Sequence, residues 1–382
     1  MDAAFTNRNP GSGDAPNMKL ADLPTPCLVL DRQKLQRNIR TMAGNLARHK
    51  VPLRPHMKTA KSVDVARLAL LGQPGGITVS TLAEAEYFAS HGIVDILYAV
   101  GITPAKLEQV TRLNASGANV TVITDDLLAA EAIAAHPANI KALIEIDCGE
   151  QRGGVLVAED LITELANRLG SHLIGVMTHA GHSYQGRSIA EITRIAELER
   201  SHVVYAAQRL RTEGHGISIV SAGSSPTGRH AETMNGLTEF RAGVYMFGDL
   251  FQAEIDTHAR DSIALTVLTS VIGRPSGRLL VDAGALALSK DRSTEASPHD
   301  FGYGLVLDVQ CEPALGNAIV RKAYQEHGVV ELDPTSPIAA PVGTRLRILP
   351  NHACLTAAAH DRYYVVDGSD DVVAVWPRMN GW

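Results

Sequence analysis

Lys58 closes the run Leu53-Arg54-Pro55-His56-Met57-Lys58, which reads as a short strand giving way to a helix. Pro55 lacks an N–H and presets its own φ, which suits a strand end better than a helix interior. A lysine at such a junction can form a Schiff base with a carbonyl compound. Most lysines are only solvated surface groups, so position alone does not decide. Far along the chain, His352 and Cys354 stand two apart in ILPNHACLT. On a strand, that spacing puts both side chains on one face. An imidazole and a thiolate together suit zinc, and two protein ligands leave positions open to substrate, as a catalytic metal requires. A buried cysteine beside a structural histidine is the plain alternative.

Three more polar clusters follow apolar runs: DCGEQRGG from Asp147, HAGHSY from His179 and AGSSPT from Ala222. Gly223 and Ser224 lie in a turn of small residues whose backbone N–H groups suit a phosphate. Tyr245, in RAGVYMFGD, can add a phosphate donor. A phosphate at that turn and a reactive lysine on another strand fit pyridoxal 5'-phosphate. Arg152, His179 and Tyr184 would then fix its ring by hydrogen bonds and stacking.

The elements that must position these groups are legible as a repeat. Strands are expected at Thr25–Leu30, at the Lys58 stretch, at Gly76–Ser80, and in DILYAV, NVTVITD, KALIEIDCG, LIGVMTHAG and ISIVSAGSSPT. Amphipathic segments separate them. One has Leu35, Ile39, Met42 and Leu46 at helical spacing, and another runs from Ser188 to about Glu213. Another opens with Thr81 and Glu84 in capping-box spacing and stops at Gly92. Eight β-then-α units with continuously apolar strands predict an α/β fold, a (β/α)8 TIM-like barrel. Lys58 would follow its second strand and the Gly223 turn its eighth. A doubly wound open sheet fits less well, because no GxGxxG follows the first strand. From about residue 255 the texture turns β-rich. The expected domains are a flexible arm over 1–22, the barrel over 23–254 and an all-β domain over 255–382.

Composition limits the functions. A net charge of -6 argues against a nucleic-acid or membrane surface as partner. The four cysteines Cys27, Cys148, Cys311 and Cys354 form no CxxC, as expected of a cytoplasmic chain without disulfides. No apolar run reaches membrane-spanning length, and the first residues lack the apolar core of a signal peptide.

The motifs RPHMKTAKS, VSTLAEAEYF, IEIDCGEQRGGV, THAGHSY, SAGSSPT, TEFRAGVYMFGDL, VDAGALALSKDR, QEHG and RLRILPNHAC occur in order from near Leu23 to the end. Together they resemble the D-threonine aldolase and D-serine dehydratase family. The resemblance implies an alanine-racemase-like, fold type III scaffold that uses pyridoxal 5'-phosphate. It implies a head-to-tail homodimer with active sites near the subunit interface. It makes Lys58 the Schiff-base residue, His352 and Cys354 the metal pair, and Gly223, Ser224 and Tyr245 the phosphate grip. Arg152, His179 and Tyr184 match groups around the ring. Gln325, Glu326 and His327 match a segment near the substrate, without an assigned role. Aldolase members tend to read H-x-D-P-T at the metal pair, whereas this chain reads His352-Ala353-Cys354-Leu355-Thr356, the dehydratase form.

The expected activity is therefore a lyase acting on D-3-hydroxyamino acids, releasing water and then a 2-oxo acid and ammonia. Aldol cleavage to glycine and an aldehyde is the alternative. A racemase would need a second base and no metal. A non-catalytic pyridoxal-phosphate-binding protein would lack the C-terminal domain. His and Cys ligands favour zinc, with manganese, magnesium or cobalt as other options. The β-substituent of the substrate stays open among hydrogen, methyl and carboxylate.

Overall fold

The structure is a computed structural model that describes residues 18–275, 277–313, 315–332 and 340–382. The chain forms two units, one of residues up to Leu35 with Ile263–Arg378, the other of Gln36–Ser262 with Met379–Trp382. Strand β1 (Cys27–Asp31) belongs to the first unit. The second unit holds β2 (Leu53–Pro55), β3 (Ile77–Val79), β4 (Asp95–Gly101), β5 (Asn119–Thr124), β6 (Lys141–Ile146), β7 (Leu173–Thr178), β8 (Ile219–Ala222) and β9 (Glu239–Ala242). These eight pair in parallel in the order β2-β9-β8-β7-β6-β5-β4-β3. A bridge from His56 to Thr78, with Met57 N–H donating to Thr78 O at 2.8 Å, joins β2 to β3 and closes the barrel.

Local chemistry explains the connecting helices. Thr81 caps helix Leu82–Ser90 by accepting from Glu84 N–H, and Ser188 caps Ile189–Thr212 by accepting from Glu191 N–H. Part of the barrel core is aliphatic, with Leu97, Ile123, Leu143 and Met177 packed together on β4 to β7. The β2, β9 and β8 side is ionic. Arg54 Nε donates to Glu239 Oε2 at 2.7 Å, Ser221 Oγ donates to Glu239 Oε1 at 2.7 Å, and Arg241 donates to Ser221 Oγ at 2.5 Å. Each buried charge there has a partner, as a low-dielectric interior demands. A cavity of 330 Å³ lined by Arg54, Asp95, Lys141 and Glu239 sits at the strand beginnings. Lys58 follows a strand end, so this cavity is at the other end of the barrel from it.

The first unit continues with β10 (Leu265–Gly273), β11 (Arg278–Val281), β12 (Leu305–Leu307), β13 (Ile319–Ala323), β14 (Gly328–Glu331), β15 (Arg345–Leu349), β16 (Arg362–Val366) and β17 (Val372–Pro377). They form a nine-stranded sheet in the order β11-β14-β13-β12-β15-β10-β1-β16-β17. All pairings are antiparallel except β1 with β16.

Two strand expectations change. The run expected to open the barrel is β1, which pairs with β10 and β16 in the other sheet. A strand buried on both faces reads alike in either sheet. The last barrel strand is instead β9, Glu-Phe-Arg-Ala, whose Glu239 and Arg241 join the ionic side of the core and hide its strand character. Lys58 thus follows the first barrel strand and Gly223 the seventh, with β9 between them. Of the arm expected over 1–22, residues 1–17 lie outside the described residues. Leu20–Asp22 form a 3-10 turn with Leu20 buried.

Candidate active site

Lys58 stands exposed in the turn just beyond β2. Its N–H lies 3.4 Å from His56 Nδ1. The turn is braced by Lys61, whose N–H donates to Met57 O at 2.7 Å and whose Nζ pairs at 3.2 Å with the wholly buried Glu84. His179 follows β7, and its Nδ1–H donates to Gly223 O at 2.5 Å. Burial above all, and then the charge of Lys58, pushes His179 down to about 3. Burial, Lys58, Arg241 and His179 also hold His56 well below the ordinary imidazole range. Both rings are therefore neutral near pH 7, beside two cations.

Gly223 follows β8 with φ +150, and a Cβ there would run into the Arg241 backbone. Only glycine tolerates that approach. Its N–H donates to Glu199 Oε1 at 3.0 Å, and Ala180 N–H donates to the same oxygen at 2.9 Å. Ser224 N–H is 3.2 Å from Thr227 Oγ1, and Ser224 Oγ lies 2.9 Å from Ser183 Oγ. Two N–H groups expected to face a phosphate are thus engaged inside the protein. Tyr245 is different. Its N–H donates to Ser225 Oγ at 3.1 Å, which sets it against the same turn. Its ring is 1% exposed, and its hydroxyl has no hydrogen-bond partner among the described residues. Burial alone raises that hydroxyl's pKa, so it is a neutral donor.

Arg152 is exposed, 3.8 Å from Glu145 and 3.5 Å from Glu150, and its charge reaches His179. The Tyr184 ring stacks on Phe251 at 6.5 Å between centroids. The barrel end therefore gathers Lys58, Arg152, His179, Gly223, Ser224 and Tyr245, with Tyr184 on the turn that carries Ser183. A buried donor without a partner among the described residues and adjacent cations fit the phosphate and ring of pyridoxal 5'-phosphate. His56, Arg241 and Glu199 belong to this neighbourhood too. His56 and Arg241 stand inside quoted motifs, but Glu199 is one acid among several on a long helix and carries no sequence signal.

In the other unit, His352 and Cys354 are not on a strand. β15 ends at Leu349, His352 is the N-cap of helix Ala353–Ala358, and Cys354 is its second residue. His352 Nδ1 meets Asp291 Oδ2 at 2.7 Å, and that bond is the main reason the Asp291 carboxyl falls to about 2. Thr356 Oγ1 donates to Leu288 O at 2.9 Å, tying this helix to Ala285–Leu288. Leu286 N–H donates to Gln325 O at 3.2 Å, bringing the Gln325–Glu326–His327 turn to the same short helix. No cluster of three or more His, Cys, Asp or Glu suited to a metal occurs among the described residues. The protein would supply the two donors His352 and Cys354, an imidazole and a thiolate whose chemistry fits a divalent metal.

Comparisons with known proteins place the chain in a family. A family model for the alanine racemase N-terminal domain matches residues 30–250, and one for a serine dehydratase domain matches 264–366. The D-threo-3-hydroxyaspartate dehydratase of Delftia sp. (strain HT23) is 42% identical over 381 residues, covering 95% of this chain and 99% of that protein. The chain belongs to the D-serine dehydratase and D-threonine aldolase family. It is accordingly an enzyme of a lyase family with the alanine-racemase-like fold. The D-threonine aldolase of an Arthrobacter species is 30% identical, covering 92% of this chain and 91% of that one. A cysteine-to-alanine variant of D-threo-3-hydroxyaspartate dehydratase, solved in the metal-free form, superposes with a TM-score of 0.92 at 41% identity, covering 96% of this chain and 100% of that one. No helix among the described residues is long and apolar enough to cross a membrane.

Proposed function

We propose that this chain eliminates water from D-3-hydroxyamino acids, serine- or 3-hydroxyaspartate-like, giving a 2-oxo acid and ammonia. The observation that carries this reading is the 42% identity to a dehydratase across nearly the whole of both chains. The His-Ala-Cys form of the proposed metal pair supports it over aldol cleavage. The reading includes a homodimer, a cytoplasmic location consistent with four free cysteines, and zinc as the first candidate metal.

Pyridoxal 5'-phosphate supplies an electron sink for the pair left at Cα, and a divalent metal supplies Lewis-acid polarisation of the departing hydroxyl. Lys58 Nζ is the cofactor-linking amine and the base that takes the α-proton. Tyr245 would donate its hydroxyl to the phosphate, beside the turn of Gly223 and Ser224. His179, held neutral by burial and locked by its bond to Gly223 O, would stand against the cofactor ring. Arg152 and Tyr184 would flank the ring. His352 and Cys354 would hold the metal. The α-proton and the β-hydroxyl leave adjacent carbons of the substrate, so the reaction calls for both a base and a Lewis acid.

Chelation separates these roles. In heavy water, holoenzyme stripped of metal is expected to exchange the α-proton in part while releasing no 2-oxo acid. Undiminished 2-oxo acid release from metal-free enzyme would remove the metal from the reaction.

A further inference from the structure

Asp291 and His352 are 61 positions apart, yet their side chains meet at 2.7 Å. The carboxylate is itself held. Ser293 N–H donates to Asp291 Oδ1 at 2.6 Å, and Asp291 N–H donates to Ser289 Oγ at 3.2 Å. Asn351, next to His352, donates from Nδ2 to Gly302 O at 2.5 Å and to Asp291 O at 3.3 Å. Thr294 Oγ1 donates to Asn351 Oδ1 at 3.1 Å. The loop bearing Asp291 and the segment bearing His352 are therefore laced together on both sides of the contact.

We propose that Asp291 is the positioning residue of the metal site. A carboxylate at Nδ1 can only accept, so the proton of a neutral imidazole sits on Nδ1 and the lone pair on Nε2. A metal would be met through Nε2, with the ring plane already set. Outer partners of this kind make a ligating histidine more basic and spare the metal the work of orienting it. Free rotation of the ring would otherwise be lost on binding, at the expense of affinity. This inference rests on His352 and Cys354 being the metal pair. It adds a residue that the His-x-Cys spacing does not contain.

Cobalt(II) titration of metal-stripped protein tests it, with the thiolate-to-cobalt absorption reporting Cys354. Asp291→Asn is expected to raise the Kd about 10- to 100-fold. Its band should reach full intensity at saturation, with unfolding of the stripped protein unchanged. A Kd equal to that of the unsubstituted protein would overturn the proposal, and so would a raised Kd that came only with a lowered unfolding temperature of the stripped protein. Cys354→Ala is the control for the underlying reading: retention of the band and affinity there would show that the metal sits elsewhere. Nitrogen-resolved NMR of the unsubstituted, metal-free protein gives a second readout that needs no folding of a variant. His352 should carry its proton on Nδ1, and finding it on Nε2 would overturn the proposal.

Discussion

Tyr245→Phe should change sign between the cofactor-free and cofactor-loaded protein. The hydroxyl is buried without a partner among the described residues. An unsatisfied buried hydroxyl costs about 1–3 kcal/mol. Removing it conserves the ring, so the cofactor-free protein should gain stability up to that amount. With phosphate present, the same hydroxyl donates to an anion, a bond worth about 1.5–3 kcal/mol. At 1.36 kcal/mol per factor of ten, its loss weakens cofactor binding about 10- to 150-fold. Denaturant unfolding of the cofactor-free protein and a spectrophotometric cofactor titration read the two effects. Pyridoxal without its phosphate is the control, and its affinity should not change. If Tyr245→Phe destabilised the cofactor-free protein and bound pyridoxal 5'-phosphate normally, the hydroxyl would have a partner in the protein and no role at the phosphate.

Gly223→Ala should weaken cofactor binding and lower stability, by about 1–3 kcal/mol or more for overpacking, because its Cβ meets the Arg241 backbone. Urea midpoints and cofactor titration measure both, and an unchanged Kd would move the phosphate from this turn. His179 is neutral when folded, with its pKa pushed from 6.5 to about 3 mainly by burial. The stability this contributes is fully present above pH 6.5 and is lost as pH falls toward 3, with a slope of at most about 1.4 kcal/mol per pH unit. His179→Phe should flatten the stability profile across that window, and a profile as steep as before would assign the slope to other groups. Lys58→Ala should abolish both α-proton exchange and 2-oxo acid release while the far-ultraviolet spectrum stays unchanged. Normal turnover by that variant would identify another base.

Much of the architecture is readable because its signals are local. The helix bearing Leu35, Ile39, Met42 and Leu46 buries those residues as its period predicts, and Thr81 and Ser188 act as caps. Errors arise where identity depends on distant partners. β1 and a barrel strand have the same apolar texture, and only pairing with β10 and β16 tells them apart. β9 escapes notice because its buried charges find their partners, Arg54 and Ser221, on other strands. The same limit applies to the site. Lys58, Gly223 and Tyr245 announce themselves by motif, whereas Glu199 and Asp291 gain meaning only through contacts with Gly223 and His352. Strand alternation would put His352 and Cys354 on one face, whereas they share a helix start.

Product analysis tests the central claim most directly. Metal-replete holoenzyme is incubated with D-threo-3-hydroxyaspartate, and 2-oxo acid, ammonia, glycine and aldehyde are all quantified. The account predicts equimolar 2-oxo acid and ammonia with no glycine. Glycine and aldehyde in equal amounts would contradict it and identify aldol cleavage instead.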